Sequence, residues 1–104
     1  MAKIPAYNAA ELDDGQIVQI NLEGREPIAL YKVEGQFYAT EDTCSHGAAS
    51  LSEGDIEDFD VICPFHDGGF DFRTGEVTIP PCVTPIASYP VSVEGDTVFI
   101  ELPD

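Results

Sequence analysis

Two short stretches of the chain combine residue types that bind metals, Cys44-Ser45-His46-Gly47 and Cys63-Pro64-Phe65-His66. Each stretch supplies one cysteine and one histidine, and sixteen residues separate His46 from Cys63. The chain has only two histidines and three cysteines, so these stretches contain both imidazoles and two of the three thiols. Two thiolates and two imidazoles at this spacing can close around one small inorganic centre.

The donor set alone leaves the identity of this centre open. Two cysteines and two histidines can hold zinc in a tetrahedral site, although structural zinc sites usually pair their ligands about two to four residues apart and most often cysteine with cysteine. A Rieske 2Fe–2S cluster needs two cysteines on one iron and two histidines on the other, which two loops of this composition provide. A disulfide between Cys44 and Cys63 is a third alternative.

The pattern Cys-x-His, sixteen residues, then Cys-x-x-His resembles the Rieske motif. The length of 104 residues, the glycine-rich stretch after His66 and the Pro80-Pro81 loop resemble the stand-alone Rieske ferredoxins of bacterial ring-hydroxylating dioxygenase systems. The resemblance implies one 2Fe–2S cluster whose inner iron is bound by Cys44 and Cys63 and whose outer iron is bound by His46 and His66. Cys82 has no neighbouring histidine and is predicted to be a reduced thiol without a ligand role.

Residues near the motif also bear on the expected reduction potential. Rieske proteins of respiratory complexes carry an additional cysteine in each loop, where this chain has Ala49 and Phe65, and hydroxyl groups where it has Gly68 and Phe70. Fewer hydrogen bonds to the sulfurs leave a reduced, more negative cluster less stabilised. The sequence therefore predicts a low potential, near the end of the Rieske range at about −150 mV.

Composition limits the classes of partner and location. Four basic residues face twenty acidic ones, a net charge of −16, which disfavours nucleic acid and anionic membranes and favours transient docking to basic surfaces. No apolar run approaches a membrane span, and the first residues, Met1 to Pro5, lack a signal-peptide core, so we expect a cytoplasmic protein. The high net charge leads us to expect a monomer.

Short apolar runs between turn signals predict one all-β domain over residues 1–104. We expect a Rieske-like antiparallel sandwich or barrel in which a base, 1–40 and 84–104, carries a cluster-binding insertion, 41–83. A helical turn capped by Asn8 is expected after the first strand, and Glu34-Gly35 is expected to form a two-residue hairpin loop. The predicted strands are 3–7, 16–22, 27–33, 36–40, 60–62, 70–72, 88–93 and 97–102, with 77–85 as a proline-rich loop.

An independent catalytic site is not expected. A Rieske oxygenase also needs a mononuclear iron, usually bound by two histidines and a carboxylate, and the cluster would use both histidines of this chain. The resemblance implies a one-electron carrier that takes electrons from a reductase, expected to be a flavoprotein, and passes them to a terminal oxygenase acting on an aromatic compound. The alternatives are a small Rieske-like subunit of an oxidoreductase such as nitrite reductase and a zinc-stabilised interaction module.

Overall fold

The structure, a computed structural model, describes residues 2–44, 49–64, 67–80 and 84–103. Strands and two 3₁₀ turns, Ala9–Glu11 and Leu51–Glu53, account for the regular elements in these residues. The strands are β1 Ala2–Asn8, β2 Gln16–Ile20, β3 Ile28–Val33, β4 Gln36–Glu41, β5 Asp55–Glu57, β6 Asp60–Ile62, β7 Gly69–Asp71, β8 Val77–Ile79, β9 Ser88–Tyr89, β10 Val91–Glu94 and β11 Thr97–Leu102.

The described strands form three sheets with the orders β1-β11-β10, β2-β3-β4-β9 and β5-β6-β7-β8. Every pairing between them is antiparallel. The predicted all-β antiparallel fold is therefore confirmed. None of the helical segments in the described residues has the length and hydropathy of a bilayer span.

Strand β3 lies in the middle layer of the molecule, because both of its faces are covered. Ile28 and Leu30 pack into one apolar cluster with residues of β11, whereas Ala29 and Tyr31 pack into a second cluster with residues of β6 and β7. All four side chains are buried, as expected for an apolar run covered on both sides of a sheet. The β2-β3-β4-β9 sheet thus separates two cores.

Two predicted turns are confirmed by their backbone geometry. Glu34 and Gly35 both have positive φ, 52° and 77°, and join β3 to β4 as a two-residue hairpin loop. Asn8 caps the first 3₁₀ turn by accepting a hydrogen bond from the Ala10 N–H at 2.9 Å.

Other element predictions were wrong in part. Residues 77–79 of the predicted loop form β8, because Val77 and Ile79 pair with β7. Strand β5 was not predicted, since its short acidic sequence contains only one apolar side chain, Ile56. The predicted strand 88–93 is interrupted at Pro90, so that β9 pairs with β4 and β10 pairs with β11. The strand predicted over 16–22 ends at Ile20.

Candidate metal centre

Cys44 and Cys63 each follow directly after a pairing between two antiparallel segments. Cys44 follows Thr43, which forms an isolated bridge with Ser50 just beyond β4. Cys63 follows Ile62, which pairs with Gly69 where β6 and β7 meet. In both cases six residues separate the paired positions, 44–49 and 63–68, so the two loops have equal length.

Both loops are closed by the same backbone hydrogen bond. The N–H of Cys44 donates to the carbonyl oxygen of Ala49 at 2.9 Å, and the N–H of Cys63 donates to that of Gly68 at 2.7 Å. Each bond joins a cysteine to the residue five positions later. Two loops of equal length and equal closure therefore begin with the two cysteines.

The histidines of the motif lie within these loops in sequence. His46 is two positions after Cys44, and His66 is three positions after Cys63. Both histidines lie outside the described residues, as do Phe65 and Cys82.

The two thiols share one dry environment. Cys44 is 3% exposed and Cys63 is 1% exposed, and both belong to the apolar cluster that contains Leu51, Val61 and Phe70. No disulfide joins them, which removes the disulfide alternative. Two reduced, water-shielded thiols at the start of matched loops fit the cysteine half of the donor set of a Rieske cluster.

Two stacked aromatic rings, those of Tyr31 and Phe72, belong to the apolar cluster. Tyr31 stacks on Phe72 with ring centroids 4.6 Å apart, and its hydroxyl is 2.7 Å from the Thr40 Oγ1. Burial raises the pKa of the Tyr31 phenol, so this group stays protonated and neutral at physiological pH. Phe70 is fully buried and, like Gly68, offers no hydroxyl, as the sequence indicates.

A buried carboxylate, Asp42, forms hydrogen bonds that join the chain segments before and after the first cysteine loop. Its Oδ2 accepts hydrogen bonds from the Gln19 amide and the Ser50 hydroxyl, both at 2.7 Å, and its Oδ1 accepts one from the Ser52 N–H at 2.8 Å. Burial alone would raise the pKa of Asp42, but the hydrogen bonds from Ser50, Gln19 and Ser52 outweigh it and keep the pKa below its usual value. Asp42 is therefore ionised at neutral pH.

No pattern in the sequence points to Asp42. It is one of twenty acidic residues, and Gln19 is 23 positions away along the chain. Only its place two residues before Cys44 could have drawn attention to it.

The segment that follows the cysteine loops, around Ile86 and Ala87, is held by hydrogen bonds to two other parts of the chain. Glu41 accepts a hydrogen bond from the Ala87 N–H through its Oε1 at 2.6 Å, and its own N–H donates to the Ala87 carbonyl at 3.0 Å. The Ile86 N–H donates to the carbonyl of Gly75 at 2.9 Å. The segment after residues 81–83 is thus joined both to the end of β4 and to the turn before β8.

The fold and the paired cysteine loops are those of an iron–sulfur domain, and residues 2–90 match the family described as the Rieske 2Fe-2S domain. The chain belongs to this family. The match confirms the predicted Rieske-type 2Fe–2S cofactor. The alternative of a zinc-stabilised module is therefore wrong.

Particular relatives are similar over most of the chain. The ferredoxin component of the p-cumate 2,3-dioxygenase system of Pseudomonas putida is 43% identical over 93 residues, 88% of this chain and 79% of the relative. The ferredoxin component of the naphthalene 1,2-dioxygenase system of Pseudomonas aeruginosa is 42% identical over 99 residues, 95% of this chain and 94% of the relative.

A solved structure agrees with these relatives. The chain superimposes with a TM-score of 0.90 and 41% identity on a chain in the complex of reduced oxygenase and oxidised ferredoxin in carbazole 1,9a-dioxygenase. The match covers 94% of this chain and 91% of that one.

Proposed function

We propose that this protein is the ferredoxin component of an aromatic-ring dioxygenase system, carrying single electrons from a reductase to a terminal oxygenase. The observation that carries the proposal is the identity of more than 40% to ferredoxin components of such systems over nearly the whole chain. A solved complex of a related ferredoxin with its oxygenase supports the terminal oxygenase as a partner. The relatives are named as ferredoxin components rather than as catalytic subunits, which supports an electron-transfer role without an active site of its own.

The proposed ligands are Cys44 and Cys63 on the inner iron and His46 and His66 on the outer iron. Support comes from the two buried thiols at the start of matched loops. It also comes from the sequence, since the only two histidines of the chain lie two and three positions after these cysteines. Cys82 is left without a ligand role.

When bound, the cluster supplies reversible one-electron chemistry. The chain's own residues hold and shield it. The thiolates of Cys44 and Cys63 anchor the inner side, and the apolar side chains of Leu51, Val61 and Phe70 exclude water from them. With two Fe(III), two sulfides and neutral imidazoles, the two thiolates would bring the oxidised site to zero net charge, and one added electron would make it −1.

A low reduction potential is part of the proposal. Gly68 and Phe70 supply no hydroxyl group, and the net charge of −16 disfavours an added electron. We expect a midpoint near about −150 mV, and a titrated midpoint above about +100 mV would contradict this assignment within the Rieske range.

Electrostatic docking to basic partners is supported by the state of the four cations. Lys3 pairs with Glu94, Arg73 pairs with Asp71, the Arg25 guanidinium donates to the Pro103 carbonyl, and the Lys32 ammonium lies 5.3 Å from the centre of the Phe37 ring. With its few cations engaged within the chain, the protein presents a mainly acidic surface to a reductase and an oxygenase. A flavoprotein reductase, a monomeric state and a cytoplasmic location stay predictions.

The division into a base, 1–40 and 84–104, and a cluster-binding insertion, 41–83, also belongs to the proposal. Its support is the composition of the sheets. Strands β5 to β8 draw all their residues from 55–79, whereas the other two sheets draw theirs from 2–41 and 88–102.

Purified protein tests the cluster and its ligands. We expect two irons and two sulfides per chain and the electron paramagnetic resonance spectrum of a reduced Rieske centre. His46→Cys and Cys63→Ser should each abolish that spectrum, because the first replaces a nitrogen donor by sulfur and the second removes a thiolate, whereas Cys82→Ser should leave it intact. A colourless zinc protein, or loss of the cluster in Cys82→Ser, would contradict the proposed site.

The partner assignment has its own test. Mixed with a dioxygenase reductase and oxygenase, the native protein should support turnover that stops when it is omitted. Purification only as a fixed stoichiometric part of another oxidoreductase would favour the alternative of a permanent subunit.

A further inference from the structure

Asp42 is the one charged side chain that is buried in the described part of the chain, with 1% of its surface exposed. Burying a carboxylate is costly unless hydrogen bonds replace its lost hydration. Here donors from β2 and from the start of the second 3₁₀ turn replace it, namely the side chains of Gln19 and Ser50 and the N–H of Ser52. Such a network has a cost that a surface acid would not have, so its place in the fold needs a reason.

The backbone of Asp42 is held as firmly as its side chain. Its N–H donates to the Pro27 carbonyl at 3.1 Å, and its carbonyl accepts from the Leu51 N–H at 2.7 Å. Asp42 precedes the Cys44 loop, and its partners Ser50, Leu51 and Ser52 follow the loop. Its hydrogen bonds therefore join the two ends of the loop.

The two cysteine loops differ in the support beneath them. Below the Cys63 loop, β6 and β7 pair over three successive positions, from Ile62 and Gly69 to Asp60 and Asp71. Below the Cys44 loop there is only the isolated bridge between Thr43 and Ser50. The Asp42 hydrogen bonds lie where further strand pairing would otherwise join the segments before and after the Cys44 loop.

We propose that Asp42 is the positioning residue of the first ligand loop, replacing strand pairing with side-chain hydrogen bonds so that Cys44 stays beside Cys63 and iron is retained. The inference rests on the proposed assignment of Cys44 as a ligand. It predicts that breaking the Asp42 contacts releases iron faster without a comparable loss of stability in the rest of the fold.

A reciprocal exchange of donor and acceptor tests this contact in the holo-protein. Asp42→Asn replaces one acceptor oxygen by an NH2 group, so either the Gln19 amide or the Ser52 N–H would face a donor, and in Gln19→Glu a carboxylate would face the Asp42 carboxylate. The double variant restores one donor and one acceptor and keeps the net charge of −16. Asp14→Asn is the matched control, because it removes one charge at the opposite end of β4, where Asp14 accepts from the Gly35 N–H.

The first readout is the rate of iron release to a chelator. We expect each single variant to release iron about tenfold faster than the native protein, because unpaired buried polar groups destabilise the loop that holds Cys44. The double variant should return to within about twofold of the native rate, since directly contacting pairs are strongly coupled. Asp14→Asn should match the native rate.

The second readout is hydrogen exchange of the holo-protein. In Asp42→Asn, protection should fall in the peptide containing Leu51 and Ser52 and stay unchanged in β10 and β11. An equal loss of protection in both regions would assign Asp42 to general stability and overturn the proposal.

The remaining outcomes are distinguishable. Native release rates in the single variants, or a double variant as fast as its parents, would overturn the role of Asp42 while leaving the ligands in place. If Asp42→Asn does not fold, Gln19→Glu and Ser50→Ala carry the same test from the partner side, and native release rates in both would overturn the role. Native protein without iron and sulfide would overturn the ligand assignment itself.

Discussion

A single glycine fixes the turn that precedes β8. Gly75 has φ of +85°, its N–H donates to the Asp71 carbonyl at 2.7 Å, and its carbonyl accepts from the Ile86 N–H. A Cβ built on Gly75 would lie 1.9 Å from the Ile86 carbonyl oxygen, a backbone atom that has little freedom to move. Gly75 is therefore required both by its dihedral angle and by the close approach of the segment around Ile86.

Gly75→Ala should lower the free energy of unfolding by about 3 kcal/mol or more, because the left-handed strain of about 1–2 kcal/mol is added to the backbone clash. Gly95→Ala is the control, since Gly95 also has positive φ, at +63°, but a Cβ there would meet nothing within 4 Å. Denaturant unfolding of the two variants measures the difference. Equal losses would contradict the clash at Ile86.

The ion pair of Asp71 and Arg73 gives a pH-dependent contribution to stability. Arg73 Nε and Nη2 donate to the two carboxylate oxygens at 3.0 and 2.8 Å. Those hydrogen bonds lower the pKa of Asp71. A carboxyl whose folded pKa is lowered adds stability above its unfolded pKa of about 3.9 and loses it as the pH falls through the folded value.

Asp71→Asn should therefore be less stable than the native protein at pH 7, with a deficit that shrinks as the pH falls below about 4. The pair is partly exposed, so the deficit should be modest and should also shrink in salt. Melting temperatures of both proteins across this pH range provide the measurement. A deficit that is unchanged at low pH would show that Asp71 acts through packing rather than charge.

At the level of elements, the middle sheet separates two cores with different tasks. The core between β3 and the β5–β8 sheet contains both cysteines, and the core between β3 and β11 contains none of the described ones. Each core has a fully buried valine, Val61 in β6 and Val98 in β11. Shortening each valine in turn can therefore show whether a core stabilises the cysteine site or only the fold as a whole.

Val61→Ala and Val98→Ala should each lower the free energy of unfolding by about 2 kcal/mol, the sum of lost burial and a small cavity. Only Val61→Ala should speed iron release, because β6 runs directly into Cys63. Denaturant unfolding and chelator kinetics on the same samples separate the two effects. Equal release rates in the two variants would contradict the division of tasks.

At the level of the whole molecule, charge controls the encounter with partners. The net charge of −16 attracts basic surfaces over tens of ångströms at low ionic strength. Raising the ionic strength from about 0.01 M to about 1 M shortens the screening length from about 30 Å to about 3 Å. Reduction by the partner reductase should therefore slow steeply as salt is added.

Stopped-flow reduction over this range of salt provides the measurement, and dithionite provides the control. Dithionite and its radical are anionic, so screening should speed their reaction with an acidic protein. Opposite slopes for the two reductants would support steering, and a reductase rate that does not change with salt would exclude it.

Local patterns predicted most of the fold because their causes are local. Alternating apolar residues and turn residues such as Glu34-Gly35 specify strands and hairpins within a few positions of the chain. The failures occur where long-range contacts outweigh local signals. Val77 to Ile79 is flanked by prolines and glycine, yet it pairs with β7, and Pro90 marks a change of sheet that no local pattern announces.

The sequence alone supplied the proposed donor set, since both histidines and two of the three cysteines stand in two short stretches. It also established the acidity of the surface, because composition does not depend on the fold. Only the folded chain revealed that the two loops have equal closure, that Cys44 and Cys63 share one dry cluster, and that Asp42 is the one buried acid among the residues that the structure describes. These properties arise from contacts between distant positions, such as Gln19 with Asp42, and spacing along the chain does not encode which distant side chains meet.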